Sequence, residues 1–346
     1  WSMTTSTGRS MVVSLAFAGS TSGSSFGAFN PSWQGATQLR HDAVDAGAEA
    51  TVITDVREYG AVDPGSTVAF VLSPDAPYGA NDSATVNRFV RSGGTLVVAE
   101  DYGPHANPLL ARLGADARVD GRLLRDERHY YRSPNLTVAT NVSATPLTAG
   151  VDRLTLNHGT AVRPGGARVL VNSSSYVYLD GNRNARLDEG EQMRSYPVAT
   201  VESVGRGRVV VVGDPSLFIN AMLDRPNNRR FVTDLVSGHG TVLLDYSHAR
   251  RLPPLAAATL LLRRQPALQA LGGLFAVVLV ALVAGNAASI RAVAGGTRGE
   301  SSDPSRPDPD RLARAVRRRH PDWERDRVRR VVAGVIYVRR EGERDD

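Results

Sequence analysis

The sequence predicts a mixed α/β protein: a doubly wound, mostly parallel sheet with a β-rich insertion, followed by a transmembrane helix and a short helical tail. Two patterns predict the body and one the anchor. Short β-branched runs alternate with helical patterns, as parallel strands joined by helical crossovers require. Between the two α/β blocks, from about 119 to 204, the pattern turns strand-like with polar turns, marking the insertion or an extension of the sheet. Residues 267–290 contain no charged side chain, and a run of that length matches the roughly 20 apolar residues that span a bilayer.

Along the body, residues 32–48 read as a helix with Leu39 and Val44 on one face and Gly47 at its end. The strands 51–54 and 67–72 follow. Asp82 or Ser83 is placed to cap a helix through Arg91, with Val86, Phe89 and Val90 at helical spacing. Next come a strand at 95–99 and a helix at 107–113 closed by Gly114. Within the insertion, 169–178 and 196–203 read as strands. The α/β pattern resumes with a strand at 208–212, the turn Gly213-Asp214-Pro215-Ser216, a helix through Met222, another at 227–236 and a last strand at 241–246.

The expected organisation is a partial signal or N-terminal anchor (1–19), the α/β body (20–247), a juxtamembrane segment (248–266), the transmembrane helix (267–290), a Gly/Ser/Pro/Asp linker (291–309) and an arginine-rich helical tail (310–346). In the tail, Leu312 with Val316, and Val328, Val331, Val332, Val335 and Ile336, form two apolar stripes at helical spacing. Arginines flank the apolar run on both sides, and the tail is the richer side only when 311–319 are counted. That places the tail in the cytoplasm and the body outside. Four Asn-x-Ser/Thr sequons, at Asn81, Asn135, Asn141 and Asn172, all lie in the body and are candidate glycosylation sites.

Composition excludes several chemistries. The 346 residues include no cysteine, so disulfides, thiolate metal sites and a cysteine nucleophile are absent. All 41 basic residues are arginine, and the net charge is only +6. Acidic residues interrupt the arginine runs of the tail, which points to membrane lipid rather than nucleic acid as the neighbour. Gly93-Gly94 and Gly205-Arg206-Gly207 precede strands, whereas phosphate-cradling glycines lie between a strand and a helix.

Ligands of open α/β sheets bind beyond the carboxyl ends of the strands. Those ends carry Asp55, Ser73-Pro74-Asp75, Glu100-Asp101 and Asp214-Pro215-Ser216. Asp75, Glu100, Asp101, Asp214 and Ser216 are therefore the candidate ligand-binding rim, suited to a divalent cation or a cationic ligand; the same residue types also serve as ordinary turn caps. A serine hydrolase would need Ser216 beside one of His105, His158, His239 or His248, yet the Gly-x-Ser-x-Gly elbow is missing. A second candidate is the loop at 180–191. Asp180, Asn182, Asn184, Asp188 and Glu191, with the Arg186 carbonyl, reproduce calcium-loop spacing, making calcium the candidate cofactor. Ala185 stands where such a loop has glycine, and the flanks read as strands. A polar hairpin turn is the alternative.

Phe29-Asn30-Pro31-Ser32 with Gly35, then Ser92-Gly93-Gly94-Thr95-Leu96-Val97-Val98, and Gly205-Arg206-Gly207-Arg208 through Gly213-Asp214-Pro215-Ser216 with Asn228, resemble domain-of-unknown-function family 4350 over about residues 19–246. The anchor-plus-tail layout fits versions from salt-loving archaea. The resemblance implies a fold similar to class I glutamine amidotransferases and related to the flavodoxin-like arrangement, an extracytoplasmic body, and association with MoxR-type ATPases and other membrane proteins. Those amidotransferases use a cysteine nucleophile, which this chain lacks. The expectation is thus a non-enzymatic, membrane-anchored binding or scaffold protein; the alternatives are a metal-dependent hydrolase using the acidic rim, or a calcium-dependent surface interaction module.

Overall fold

The computed structural model describes residues 25–249 together with Arg314 and Arg318, both helical and exposed. The chain divides into two units, Trp1–Pro266 and Ala267–Asp346. The expected N-terminal anchor, the transmembrane helix, the linker and, apart from those two arginines, the tail lie outside the described residues. Among the described residues, no helix is long and apolar enough to cross a membrane.

Strands β2 (Thr67–Leu72) and β3 (Thr95–Ala99) are nearly continuous runs of buried residues, the pattern of strands covered on both faces. With β1 (Glu49–Ile53), β12 (Gly207–Val212) and β13 (Thr241–Asp245) they form the parallel part of an eight-stranded sheet, in the order β1-β13-β2-β3-β12. Strands β11 (Pro197–Val204), β9 (Arg168–Asn172) and β6 (Asn141–Val142) extend that sheet beyond β12, each antiparallel to its neighbour.

Side chains alternate across the parallel strands. Phe70, Val97, Val210, Val212, Val242 and Leu244 face one core. It is covered by Leu39 and Ala43 of α1 (Thr37–Asp45) and by Phe231, Val232 and Leu235 of α5 (Asn228–Val236), which follows the short α4 (Asn220–Leu223). Ala69, Val71, Leu96, Val98, Val209 and Val211 face the other core. There α2 (Ala80–Arg91) contributes Val86, Phe89 and Val90, and α3 (Ala106–Leu113) contributes Leu109, Leu110 and Leu113. Helices therefore cover both faces of a mostly parallel sheet.

The insertion is real and does two things. Besides lending β6, β9 and β11 to the main sheet, it builds a three-stranded sheet of β10 (Val177–Asp180), β4 (Arg118–Asp126) and β8 (Thr160–Arg163), and pairs β5 (Val138–Ala139) with β7 (Leu154–Thr155).

Several elements depart from the sequence expectation for local reasons. The first helix covers 37–45 instead of 32–48, because Asn30 to Gly35 form a hydrogen-bonded turn. Leu39 and Ala43 bury, while Val44 is exposed. The α2 cap position is Gly79, and Ser83 sits inside the helix, its hydroxyl donating to the Tyr78 carbonyl. Residues 169–178 are two strands, broken where the Ser173 amide turns to the Tyr196 carbonyl and the Ser174 hydroxyl to Asp126. After Asp214 comes a 3-10 turn, Pro215–Phe218, before α4.

Gly213 ends β12 against β8. Its amide donates to the Val198 carbonyl, its carbonyl accepts the Thr160 amide at 2.7 Å, and a Cβ at this position would overlap the Thr160 carbonyl. Since neither backbone can yield, Gly213→Ala is expected to lower the stability of the body by roughly 2 kcal/mol or more, on the scale of overpacking; a urea midpoint equal to that of the parent protein would contradict the packing described.

Candidate functional site

The connections leaving β3 and β12 diverge. The chain after β3 enters α3 on one face of the sheet, and the chain after β12 enters α4 and α5 on the other. The strand ends between such diverging connections form the crevice where open α/β sheets bind ligands. At this point stand Glu100 and Asp101, directly after β3, and Asp214, two residues after β12; Asp101 is half-buried and the other two lie beneath the surface.

Glu100 is fully buried. Its Oε1 accepts the Ser73 hydroxyl at 3.2 Å and the Asp101 and Gly103 amides at 3.0 Å each. Its Oε2 is buried without a hydrogen-bond partner among the described residues and lies against Gly103, where a Cβ would collide with it. Burial is the main cause that pushes the Glu100 carboxyl up to about 7; the two amides oppose it, and the Asp101 charge adds to it.

Asp214 is also fully buried. Its Oδ2 accepts the Asn157 amide at 2.6 Å and its Oδ1 the Ser216 amide at 2.7 Å. Desolvation again dominates, raising it to about 7 against those two amides, with Asp101 contributing in the same direction as burial. Asp101 is half-buried, and its Oδ1 accepts the Tyr102 amide at 2.6 Å.

Across the crevice the insertion supplies the opposite wall. The Tyr102 hydroxyl donates to the His158 carbonyl, and the guanidinium of Arg183, reaching from the loop after β10, lies 4.2 Å over the Tyr102 ring. Burial raises the Tyr102 hydroxyl above its ordinary range. The His158 ring bonds Asn157 Oδ1 through Nδ1, at 2.8 Å, and meets the Asn135 amide through Nε2; burial lowers its pKa.

The structure thus brings together Glu100, Asp101 and Asp214 of the expected rim. Ser216 takes part mainly through its backbone amide. His239 is engaged with Thr95 and Val236 and His248 with Ser247 and Asp82, away from the serine, while His158 stands in the crevice but bonds Asn157 and Asn135. Asp75 lies apart, its amide donating to the His248 carbonyl; the residue of that segment which reaches Glu100 is Ser73. Tyr102, Asn157 and Arg183 join the site without having been legible as members, Asn157 and Arg183 because they come from the insertion, distant in sequence; His158, named from the sequence only as a possible partner of Ser216, joins it in another role.

The 180–191 loop is closed on itself. Asp180, almost fully buried, accepts the Asn184 and Ala185 amides at 3.1 and 2.9 Å. Asp188 accepts the side-chain amides of Asn182 and Asn184, at 2.7 Å each, Asn184 Oδ1 accepts the Arg186 amide, and Glu191 accepts the Gly181 and Asp188 amides. Among the described residues, no group of three or more His, Asp or Glu side chains could hold a metal ion by itself. Of the four sequon residues, Asn81 and Asn141 are exposed. Asn135 is tied to Ser133 and His158, and Asn172 pairs with Asn141 across β9 and β6.

A model of the family described as Domain of unknown function (DUF4350) matches residues 28–236. The chain belongs to the DUF4350 family. Several residues that carry the family resemblance prove structural. Asn30 is buried with Oδ1 accepting the Ser32 amide, and Asn228 is buried with Oδ1 accepting the Thr155 amide and Nδ2 donating to the Thr155 and Met222 carbonyls. No curated protein matches this DUF4350 chain. Among solved structures it is similar to the mmIFT52 N-terminal domain (16% identity over 53% of this chain and 79% of that one, TM-score 0.41). It is also similar to Cytoplasmic Protein STM1381 from Salmonella typhimurium LT2 (11%, 58% and 86%, 0.38) and to part of a β-galactosidase from Bacillus circulans sp. alkalophilus (13%, 60% and 27%, 0.30).

The two raised carboxyls give a stability signature. In the unfolded chain each ionises near pH 4, whereas in the folded protein each stays neutral to about pH 7. Their neutral forms therefore favour folding below about pH 4, and that contribution is lost as pH rises to about 7. Glu100→Gln preserves the acceptor that takes all three donors and removes the titration. Its stability relative to the parent is expected to rise between pH 5 and pH 8, measured by denaturant unfolding; a difference independent of pH would contradict the assignment.

Proposed function

We propose that this DUF4350 protein is a non-enzymatic, membrane-anchored binding or scaffold protein. Its α/β body, of amidotransferase-like architecture, stands outside the cell, the run 267–290 spans the membrane, and the arginine-rich tail meets lipid and partners on the cytoplasmic side, among them a MoxR-type ATPase of the same membrane system. One observation carries the non-enzymatic reading. At the strand-end crevice of a chain without cysteine, the buried carboxylates are engaged in holding backbone, Asp214 by the Asn157 and Ser216 amides and Glu100 by the Asp101 and Gly103 amides. The anchor rests on the absence of charge from 267–290 and the arginines that follow it.

Protease added to intact cells is expected to digest the body and spare the tail, read with antibodies to each; digestion of the tail alone reverses the orientation. The tail is expected to recover the ATPase in a detergent pull-down of the full chain, and a chain lacking 291–346 is not. Metal-dependent turnover on an esterase, phosphatase or glycosidase panel, lost in Asp101→Ala, would favour the hydrolase alternative instead.

A second reading, calcium-dependent interaction through the 180–191 loop, is favoured by the inward turn of Asp180, Asn182, Asn184, Asp188 and Glu191 onto one another and onto the loop's own amides. An ion would have to recruit the Asn oxygens and the Arg186 carbonyl, rotating the Asn182 and Asn184 amides that now donate to Asp188. Millimolar calcium is then expected to raise the melting temperature of the parent protein and leave that of Asp188→Asn unchanged. No rise in the parent rejects the site.

A further inference from the structure

Three features of the crevice call for a cation. Glu100, fully buried, has one oxygen without a donor among the described residues, and its carboxyl neighbours the Asp101 side chain. Asp101 adds a second carboxylate at the mouth, close enough to Glu100 and Asp214 to raise both. A guanidinium of the same chain already stands there: Arg183 lies over the Tyr102 ring and interacts electrostatically with both Tyr102 and His158. Arg183 is exposed, comes from the loop between β10 and β11, and has a left-handed backbone (φ 58°).

Resting on the reading of the body as a binding module, we infer that the crevice is a receptor for a guanidinium group of a ligand or partner, and that Arg183 is the built-in occupant which such a group displaces. A planar guanidinium stacks on an aromatic face and forks onto a carboxylate, which a compact ammonium does less well. The incoming group would lie on Tyr102 where Arg183 now lies and bond the half-buried Asp101, while Glu100 stays buried beneath Gly103 and acts on it through charge alone. Because the loop itself is closed by its own hydrogen bonds, Arg183 can leave without unfolding it.

The competition has a quantitative form. When only the fraction of molecules with Arg183 displaced can bind, the apparent affinity falls by that fraction, and removing Arg183 restores it. Binding also favours ionised carboxylates, so affinity is expected to rise with pH through about 7 and level off above it.

Titration of the purified full-length protein with argininamide, by calorimetry at pH 8, tests this. Arg183→Ala is expected to bind roughly tenfold more tightly than the parent protein, and Asp101→Asn in the same background to lose binding, with unchanged circular dichroism in both. Glycinamide, which lacks the guanidinium, is expected not to bind. A short arginine peptide binding more tightly than argininamide would assign the natural occupant to a polypeptide, and equal binding to a small molecule. Absence of argininamide binding by Arg183→Ala, or binding that survives Asp101→Asn, overturns the inference. Neither result bears on the protease-accessibility experiment, which tests the membrane reading separately.

Discussion

The end of β12 is the constraint on which the rest of the body depends. Within two residues, the Gly213 carbonyl takes the Thr160 amide and the Asp214 carboxylate takes the Asn157 amide, so the insertion is fastened to the main sheet there. The same carboxylate caps the turn that leads away to α4 and α5 through the Ser216 amide. One buried acid thus positions both walls of the crevice. Its burial is what chiefly raises it, with the Asp101 charge adding to the effect.

The parallel strands were legible because they are buried on both faces and consist of β-branched and apolar residues bounded by turn formers, as in Thr95–Ala99 and Gly207–Val212. The carboxyl ends of those strands were legible for the same reason, which is how Glu100, Asp101 and Asp214 could be named. Helix limits were harder to read. Val44 falls outside the buried face that Leu39 and Ala43 share, and Ser83 resembles a cap in sequence but lies a turn inside α2, its hydroxyl spent on Tyr78.

The other half of the crevice could not be read from the chain in order. His158 and Arg183 come from separate turns of the insertion, and both adopt left-handed backbone conformations that their residue types do not advertise. Tyr102 directly follows the acidic pair, yet its role depends on a carbonyl more than fifty residues away. The motif asparagines hold the reverse lesson. Asn30 and Asn228, placed where a functional residue would be sought, act as buried hydrogen-bonding hubs.

Asn220 is the other such hub. Its amide group donates to the Asn30 and Ser32 carbonyls, and its oxygen accepts the Gln38 amide, so α4 is clasped to the segment that enters α1. These clasps are electrically neutral. Mobile ions that shield the surface pairing of Arg229 with Asp224 leave an amide clasp untouched. The turns that Asn220 and Asn228 clasp should therefore keep their shape in brines that would loosen the pairing of Arg229 with Asp42 between α5 and α1.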